Sequence, residues 1–441
     1  MKQSKHNIYY SPKEVRTILE RSIDTALDGL KGYCNDPVSD FTRCRKLPAR
    51  TLIECIMSFS NYSSIGELSH FFVGHGEMPS ASALSQRRQL LDPDIFKRIN
   101  NLFVSAFDDH TTINGYHILA QDGSDVNIPF MNDKTKTEKH DAKSFCQYHV
   151  NALYDCLNKV FYDWSIDAAS KKREVNALIS ILKDRNYPQN SIFTADRGYE
   201  SYNLMAHFIE NDTKFVIRVK DIHTKSGLMT NIKTEEGAFD MRINRTLTSL
   251  QTKEIKADKE KYIFVPSTSN FDFLDENRDF YDLSFRAVRF KISEDTYETV
   301  VTNLSEEEFK TEDFKELYHY RWNEETAFNK LKYTIGLVYF HARKRKLIQQ
   351  EINAAFLMYN VSEVIIRNID LKKNKKPELE YDYKPNFSSA VTNIRLYLRK
   401  KISMKELIHR IKKFLVGQRP ERSFERNIKG QSCKPLNYRT S

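Results

Sequence analysis

The sequence predicts a mixed α/β protein in which a β-sheet with helices lies between an all-α region and a basic helical region. Three observations predict this class. Helical patterns dominate residues 1–110, strand-like and helix-like patterns alternate up to residue 370, and positive charge accumulates in residues 371–441. With 441 residues, 40% of them hydrophobic, the chain can form about two or three domains with sizeable cores.

Residues 1–110 are predicted to form a helical N-terminal DNA-binding domain. In SPKEVRTILERSIDTALDGL, Ser11 is placed to cap a helix, with Pro12 at its first position and a capping-box Glu14. The segments SIGELSHFFVG and PSASALSQRRQLL indicate helix, turn, helix, and the second helix carries the predicted DNA contacts Arg87 and Arg88. A plain helical bundle is the alternative, because the net charge of this region is only +1.

The next region has the pattern of a mixed sheet. YHILAQDG, YHVNALYDCL and KVFYDWSID resemble three strands, and REVNALISILKDR resembles a helix. A strand (SIFTADRGY), a second helix and a strand (KFVIRVK) follow. This order is that of a ribonuclease-H-like mixed sheet, predicted to comprise residues 111–213 and 306–370. Residues 214–305 contain several short strand-like runs, too many to extend one small sheet, and predict a β-rich insertion.

The end of the chain carries the basic excess of the protein. Residues 371–441 hold 19 Lys and Arg against 6 Asp and Glu, whereas residues 111–370 have a net charge of −4. The order predicted here is a linker (LKKNKKPELEYDYKPN), a basic helix and an irregular end. Such a basic region favours binding to nucleic acid or another polyanion, and a solvated tail is the alternative.

Several classes of protein and site are disfavoured by composition. No window approaches the ~18 consecutive apolar residues of a spanning helix, and the start has no apolar signal segment, so we expect a cytoplasmic, bacterial-type, nucleoid-associated protein. The six cysteines form no C-x-x-C pair, which favours buried thiols over a zinc site. No phosphate-binding glycine loop occurs, so ATP-driven chemistry is not supported.

Two aspartates are the first candidate site residues. Asp122 and Asp196 each follow an apolar strand pattern, and ligands gather at the carboxyl ends of parallel strands. Two acids in one place repel unless a cation lies between them, and Mg²⁺ prefers such oxygen ligands. The alternative is that Asp-Gly and Asp-Arg-Gly are simply turn sequences.

The helical segment YHYRWNEETAFNKLKYTIGL has an unusual polar strip. On an α-helix of about 100° per residue, one narrow strip collects four residues, Tyr318, Arg321, Glu325 and Lys332. It lies beside an apolar stripe that predicts a buried face. An Arg321–Glu325 surface pair would explain only part of this strip. Glu324 falls on the apolar stripe, and no sequence pattern explains it.

These motifs together resemble a known enzyme family. The spacing Y-x2-R-x3-E-x6-K is similar to the YREK signature of DDE transposases of the insertion-sequence-4 family. AQDGSDVNIP resembles the first-Asp motif of that family, TADRGYESYNLMA with FVIRVK resembles the second, and RPERSFERNIKG resembles its basic C-terminus. The ordered matches span residues 116–343. The resemblance implies a ribonuclease-H-like catalytic domain with a β-rich insertion between the second Asp and the Glu.

The resemblance also implies a function. It predicts a transposase that binds terminal inverted repeats, cleaves double-stranded DNA at the element ends and joins the 3′-OH to target DNA, as a homodimer. Asp122, Asp196 and Glu325 would bind two Mg²⁺ ions, for which Mn²⁺ can substitute, while Tyr318, Arg321 and Lys332 would contact DNA. The alternatives are a ribonuclease-H-fold nuclease without strand transfer and a non-catalytic DNA-binding protein derived from a transposase.

One step of some relatives lacks its usual residue. Those relatives cut the second strand through a hairpin, with a tryptophan of the β-rich insertion stacked on an extruded base. This chain has only Trp164 and Trp322, both outside residues 214–305. Tyr297 or Phe271 could provide the stacking surface instead.

Overall fold

A computed structural model describes most of the chain. The described residues are 1–418 without 6–8, 44–45, 75, 109, 140–141, 170–172, 223, 225, 295 and 372–381. The predicted irregular C-terminus and much of the predicted linker lie outside them. No helix in these ranges is long and apolar enough to cross a membrane.

Helices occupy both ends of the chain and line the central sheet. They are α1 (Pro12–Asp28), α2 (Ala49–Met57), α3 (Ser64–Phe72), α4 (Ala81–Leu90), α5 (Asp94–Val104), α6 (Glu174–Asp184), α7 (Tyr202–Glu210), α8 (Lys253–Ala257), α9 (Asp313–His319), α10 (Trp322–Asn329), α11 (Arg345–Arg367), α12 (Phe387–Leu398) and α13 (Met404–Lys413).

The strands alternate with these helices. They are β1 (Gln3–Lys5), β2 (Thr111–Ile113), β3 (His117–Ile128), β4 (Lys136–Lys139), β5 (Ala142–Asp155), β6 (Val160–Ala168), β7 (Ser191–Ala195), β8 (Lys214–Val219), β9 (Phe239–Thr248), β10 (Tyr262–Phe264), β11 (Phe280–Ser293), β12 (Thr296–Thr302), β13 (Asp382–Pro385) and β14 (Leu415–Gln418).

The N-terminal helices form as the sequence predicts. Ser11 caps α1 by a full capping box with Glu14, and Pro12 is the first helical residue. Ser80 caps α4, whose backbone N–H of Ala83 donates to the serine hydroxyl. Helices α3 and α4 are consecutive, as predicted, but residues 73–80 separate them, a longer connection than the three- or four-residue turn of a DNA-binding helix-turn-helix motif.

The centre of the protein is a mixed sheet with the predicted strand order. β6, β5 and β3 are antiparallel neighbours, and β3, β7 and β8 are parallel neighbours. Helix α6 connects β6 to β7, and α7 connects β7 to β8. Three antiparallel strands followed by two parallel strands with intervening helices confirm the predicted ribonuclease-H-like fold class.

The β-rich insertion enlarges this sheet, contrary to the expectation that its strands are too many to do so. β12 pairs antiparallel with β8, β11 pairs with β12, β9 with β11 and β10 with β9. Among the described residues, the result is one sheet of ten strands. The reason is that β8 would otherwise leave the backbone groups of one side unpaired, and β12 satisfies them.

Helix α11 is buried on nearly all sides. It packs against α1, α2, α4, α5, α12 and β6, and nearly every residue from Leu347 to Ile365 is buried. Its polar residues bond to these neighbours: the Gln350 amide donates to the backbone of α4, and the Asn360 amide donates to the Phe161 carbonyl oxygen. This helix thereby attaches the N-terminal helices to the sheet.

Candidate active site

The parallel strands β3 and β7 place the two predicted aspartates side by side. Their register pairs Gln121 with Ala195, so the next residues are Asp122 and Asp196. Asp196 follows the end of β7, as predicted. Asp122 does not end its strand, because β3 continues to Ile128 in pairing with β5. The parallel pairing of β3 with β7 does end here, at Gln121 and Ala195. The carboxylates of Asp122 and Asp196 follow this last pair directly.

Gly123 lies inside β3, which corrects the alternative that Asp-Gly marks a turn. A methyl group in place of its hydrogen would overlap the imidazole of His149 and lie 2.9 Å from Oε1 of Glu174. The glycine therefore makes room for these two side chains directly beside Asp122.

Glu174 and His149 are site residues that the sequence analysis missed. Glu174 begins α6, and its Oε1 lies 3.0 Å from Nε2 of His149, at ion-pair distance but without the alignment of a hydrogen bond. Nδ1 of His149 lies 2.7 Å from Oδ1 of Asp125. Burial opposes the charge of the imidazole, but the two carboxylates outweigh it and raise the pKa of His149 to about 9.

The surroundings of Asp122 disfavour the ionised form of its carboxyl group. Burial raises its pKa to about 6, and the negative charges of Asp196 and Glu174 add to this effect. The backbone N–H of Gly123, which donates to Oδ1 at 2.8 Å, and the positive charge of Arg321 act in the opposite direction. A strongly shifted carboxyl group among like charges is typical of a functional site.

Arg321 and Tyr318, two predicted DNA contacts, lie in the interior. Arg321 is 3% exposed, with its Nη1 3.6 Å from Oδ2 of Asp122. Its Nε donates to the Tyr318 hydroxyl at 3.1 Å, and Tyr318 is 1% exposed. In this conformation Arg321 neutralises Asp122 in part, and the DNA contact of both residues stays a prediction.

The helix that carries the predicted strip is not one continuous α-helix. It is divided between α9 and α10 near Arg321, and residues Lys330–Ile335 form a π-helical segment that ends before Gly336 at φ 123°. The uniform rotation per residue assumed for the strip therefore fails at both points. The apolar stripe is confirmed, because Leu317, Phe328, Leu331 and Ile335 are all buried.

Glu324 and Glu325 differ sharply in their surroundings. Glu325 is half-buried on α10. Glu324 is 0% exposed, and within the described part of the chain neither of its carboxyl oxygens has a hydrogen-bond partner. Burial and the nearby charge of Asp122 raise the pKa of Glu324 well above its usual range. The residue that no sequence pattern explained is thus a buried acid close to Asp122.

The remaining predicted DNA contacts lie in different surroundings. Lys332 is half-buried in the π-helical segment. Arg87 is half-buried, and its Nε donates to the Leu47 carbonyl oxygen at 3.1 Å. Arg88 is 2% exposed and its Nη2 donates to Oε1 of Glu351 at 2.8 Å. The guanidinium of Arg88 faces the interior in this conformation, and its contact with DNA stays a prediction.

The aromatic residues considered for base stacking are mostly packed. Trp164 is buried and stacks on Phe356 with ring centroids 4.4 Å apart. Tyr297 lies under the guanidinium of Arg289, and Phe271 packs in an aromatic group with Tyr281. Trp322 is 39% exposed.

The donor set fits a hard divalent cation in its chemistry. Asp122 and Asp196 offer carboxylate oxygens at one level of the sheet, and Glu324 leaves buried carboxyl oxygens without partners. As the side chains stand, no group of three or more His, Cys, Asp or Glu in the described ranges could hold a metal ion. Joint coordination of one ion therefore requires these carboxylates to draw closer together.

The strand order defines a protein of the ribonuclease-H-like fold class, with carboxylates gathered where the parallel pairing of β3 and β7 ends. The model of the transposase DDE domain family matches residues 113–361, more than half of the chain, and the protein belongs to this family. It is therefore a DDE transposase, a class of DNA-cleaving and strand-transferring enzymes that generally use divalent metal ions.

Comparison with solved structures gives a distant likeness. The cryo-EM structure of the piggyBac transposase synaptic complex with hairpin DNA has 12% sequence identity and a TM-score of 0.46, and the alignment covers 96% of this chain and 90% of that chain. No curated protein sequence matches the chain.

Proposed function

We propose that the protein binds the terminal inverted repeats of an insertion sequence, cleaves DNA at the element ends and joins the 3′-OH to target DNA. The observation that supports this most directly is the placement of Asp122 and Asp196 side by side, next to the helix that carries Glu325. The YREK spacing supports an assignment to the insertion-sequence-4 family.

Asp122, Asp196 and Glu325 are the proposed ligands of two divalent ions, Mg²⁺ or Mn²⁺. When bound, the ions supply activation of the attacking oxygen and stabilisation of the leaving oxygen. The chain itself fixes the two aspartates through the pairing of β3 with β7. Arg321 favours the ionised form of Asp122, because its positive charge lowers the pKa of that carboxyl group against the effect of burial.

The proposed DNA contacts are distributed between the site and the end of the chain. Lys332 is proposed to bind the DNA backbone near the scissile phosphate, and the basic residues 371–441 are proposed to contact phosphates along the duplex. For Tyr318 and Arg321, contact with DNA requires that their side chains leave the interior. A homodimer bridging the two element ends is part of the same proposal.

Replacement of Glu325 tests this function. Incubation of the protein with DNA from the ends of its element and Mg²⁺ should give nicked and joined products. We expect Glu325→Ala to abolish both products while DNA binding is retained, because the variant loses a metal ligand but no phosphate contact. Thr326→Ala, an exposed neighbour on α10, is the matched control and should cleave normally. Undiminished cleavage by the Glu325 variant would contradict the assigned triad.

A further inference from the structure

We propose that Glu174 is a fourth carboxylate of the metal site and binds the divalent cation on the Asp196 side. This inference rests on the proposed function, because it adds a ligand to the proposed site of Asp122, Asp196 and Glu325. It concerns a residue that lies 52 positions after Asp122 and 22 before Asp196 in the sequence.

The position of the Glu174 carboxylate is defined by two glycines. A methyl group on Gly123 would lie 2.9 Å from Oε1 of Glu174, and one on Gly198 would lie 3.7 Å from its Oε2. Gly123 follows Asp122 directly, and Gly198 donates its N–H to Oδ1 of Asp196 at 2.7 Å. The carboxylate of Glu174 therefore lies between the backbone segments that carry the two aspartates.

The two oxygens of Glu174 have different surroundings. Oε1 faces Nε2 of His149 at 3.0 Å, and the other nitrogen of that ring is held by Asp125 at 2.7 Å. This chain of contacts fixes the direction of the carboxylate. Oε2 is directed toward Gly198 and the Asp196 loop. The Glu174 side chain is 31% exposed, so an ion from solvent can reach it.

An independent observation is another carboxyl group near Asp122 that lacks hydrogen-bond partners in the described structure. Glu324 lies on another element, close to Asp122, and its fully buried carboxyl oxygens have no hydrogen-bond partner among the described residues. Carboxyl groups from β3, the β7 end, α6 and α10 thus converge on one region. A divalent cation that takes about six oxygen ligands suits this arrangement.

Binding of Mn²⁺ to the full-length protein tests the inference apart from catalysis. The free Mn²⁺ remaining at each step of a titration would be measured for the wild type and the variants Glu174→Gln, Asp184→Asn and Asp122→Asn. We expect Glu174→Gln to weaken binding about tenfold or more, because loss of a ligand should cost at least as much as loss of a residue that only orients a ligand. Asp184, exposed at the far end of the same helix, is the matched control and should leave binding unchanged.

The variant His149→Gln tests whether Glu174 binds the metal itself or only holds His149 in position. If Glu174 acted only by holding His149, the two glutamine variants would lose Mn²⁺ affinity equally, and the inference would be overturned. We expect a smaller loss for His149→Gln, because the Glu174 carboxylate remains. Thermal unfolding of each variant without metal checks that it is folded, and Glu174→Asp provides a second variant that keeps the charge.

Failure of the inference differs from failure of the proposed function. If Asp122→Asn abolishes Mn²⁺ binding while Glu174→Gln binds like the wild type, Glu174 is not a ligand and the proposed triad stands. If Asp122→Asn binds Mn²⁺ like the wild type, or the wild type binds none, the proposed metal site itself is wrong and the inference is overturned with it.

Discussion

Two groups of buried or half-buried charge in this protein are organised in opposite ways. The ion-pair network (Arg88, Glu351, His341 and Glu67) joins α3, α4 and α11, and the carboxylate cluster (Asp122, Asp196, Glu174 and Glu324) lies at the centre of the sheet. In the network, Arg88 lies 2.8 Å from Glu351, and Arg88 and His341 outweigh burial and lower the pKa of Glu351 to about 2. In the cluster, burial raises the pKa of Asp122 to about 6.

The comparison shows that the charges of the ion-pair network stabilise the fold, whereas those of the carboxylate cluster do not. The network matches its acids with cations, since His341 also lies 3.1 Å from Glu351 and 3.4 Å from Glu67. The cluster gathers carboxyl groups whose charges disfavour one another, and its Arg321–Asp122 distance is 3.6 Å. Residual negative charge that the protein does not neutralise is what a cation-binding catalytic site requires.

Loss of Arg88 should have the largest effect on stability. Arg88→Met leaves the buried Glu351 with one cation fewer, and breaking a buried ion pair costs about 3–5 kcal/mol. Denaturant unfolding followed by circular dichroism would measure this loss. Arg87→Met, the half-buried neighbour, should cost much less. If Arg88→Met lowered the free energy of unfolding by less than about 1 kcal/mol, the ion-pair network would not differ from the carboxylate cluster in its contribution to stability.

The network also predicts a dependence of stability on acid pH. The pKa of Glu351 is lowered from 4.5 to about 2 in the folded protein, so the folded state favours the ionised form. Its contribution is fully present above pH 4.5 and is lost as the pH falls toward 2. The free energy of unfolding of Glu351→Gln should therefore fall less steeply over this range than that of the wild type. Parallel curves would contradict the assigned pairing.

A methyl group at Gly123 should disturb the cluster without removing any charge. Gly123→Ala would force the His149 ring and Glu174 to move, and such overpacking costs about 1–3 kcal/mol. We also expect slower DNA cleavage, because both side chains lie beside Asp122. Gly32→Ala is the control, since its added methyl group meets no described residue within 4 Å other than its chain neighbours. Equal stability of the two variants would show that the contact at Gly123 is not tight.

Replacement of Glu324 should change stability in the opposite direction, by between zero and the amount expected for Gly123→Ala. Glu324→Met puts an apolar side chain of similar length where the carboxyl oxygens have no hydrogen-bond partners in the described structure. Removing a buried unsatisfied polar group gains up to about 1–3 kcal/mol. The melting temperature should stay equal or rise. A clear fall would mean that Glu324 makes a stabilising interaction, and the cluster would then resemble the network.

The strand order and the two aspartates could be predicted because they depend on local patterns. Alternation and apolar runs identify β3 and β7, and parallel strands bring their equivalent ends together. The burial of Glu324 was likewise visible in the periodicity, which placed it on the apolar stripe. The periodicity did not reveal that Asp122, about 200 residues earlier in the chain, is its close neighbour, because that contact is tertiary.

Other features depend on tertiary contacts that no local pattern contains. The partner of Arg88 lies 263 residues away, so the same arginine could equally have been a surface residue. Glu174 is an ordinary first-turn acid of a helix until Gly123 and Gly198 are brought beside it. The change from α10 to a π-helical segment alters the directions of later side chains, and the amino-acid pattern alone did not reveal it.

The enlarged sheet also determines which strand forms the edge of the sheet, where pairing with other chains could begin. Without residues 239–302, β8 would present a bare edge of backbone groups flanked by the apolar Phe215, Val216 and Ile217. Such an edge is a template for pairing with other chains and favours aggregation. In the described structure, the sheet ends on this side at β10, a strand of only three residues. The insertion therefore protects the solubility of the catalytic sheet, and a shortened enzyme would need a substitute for that protection.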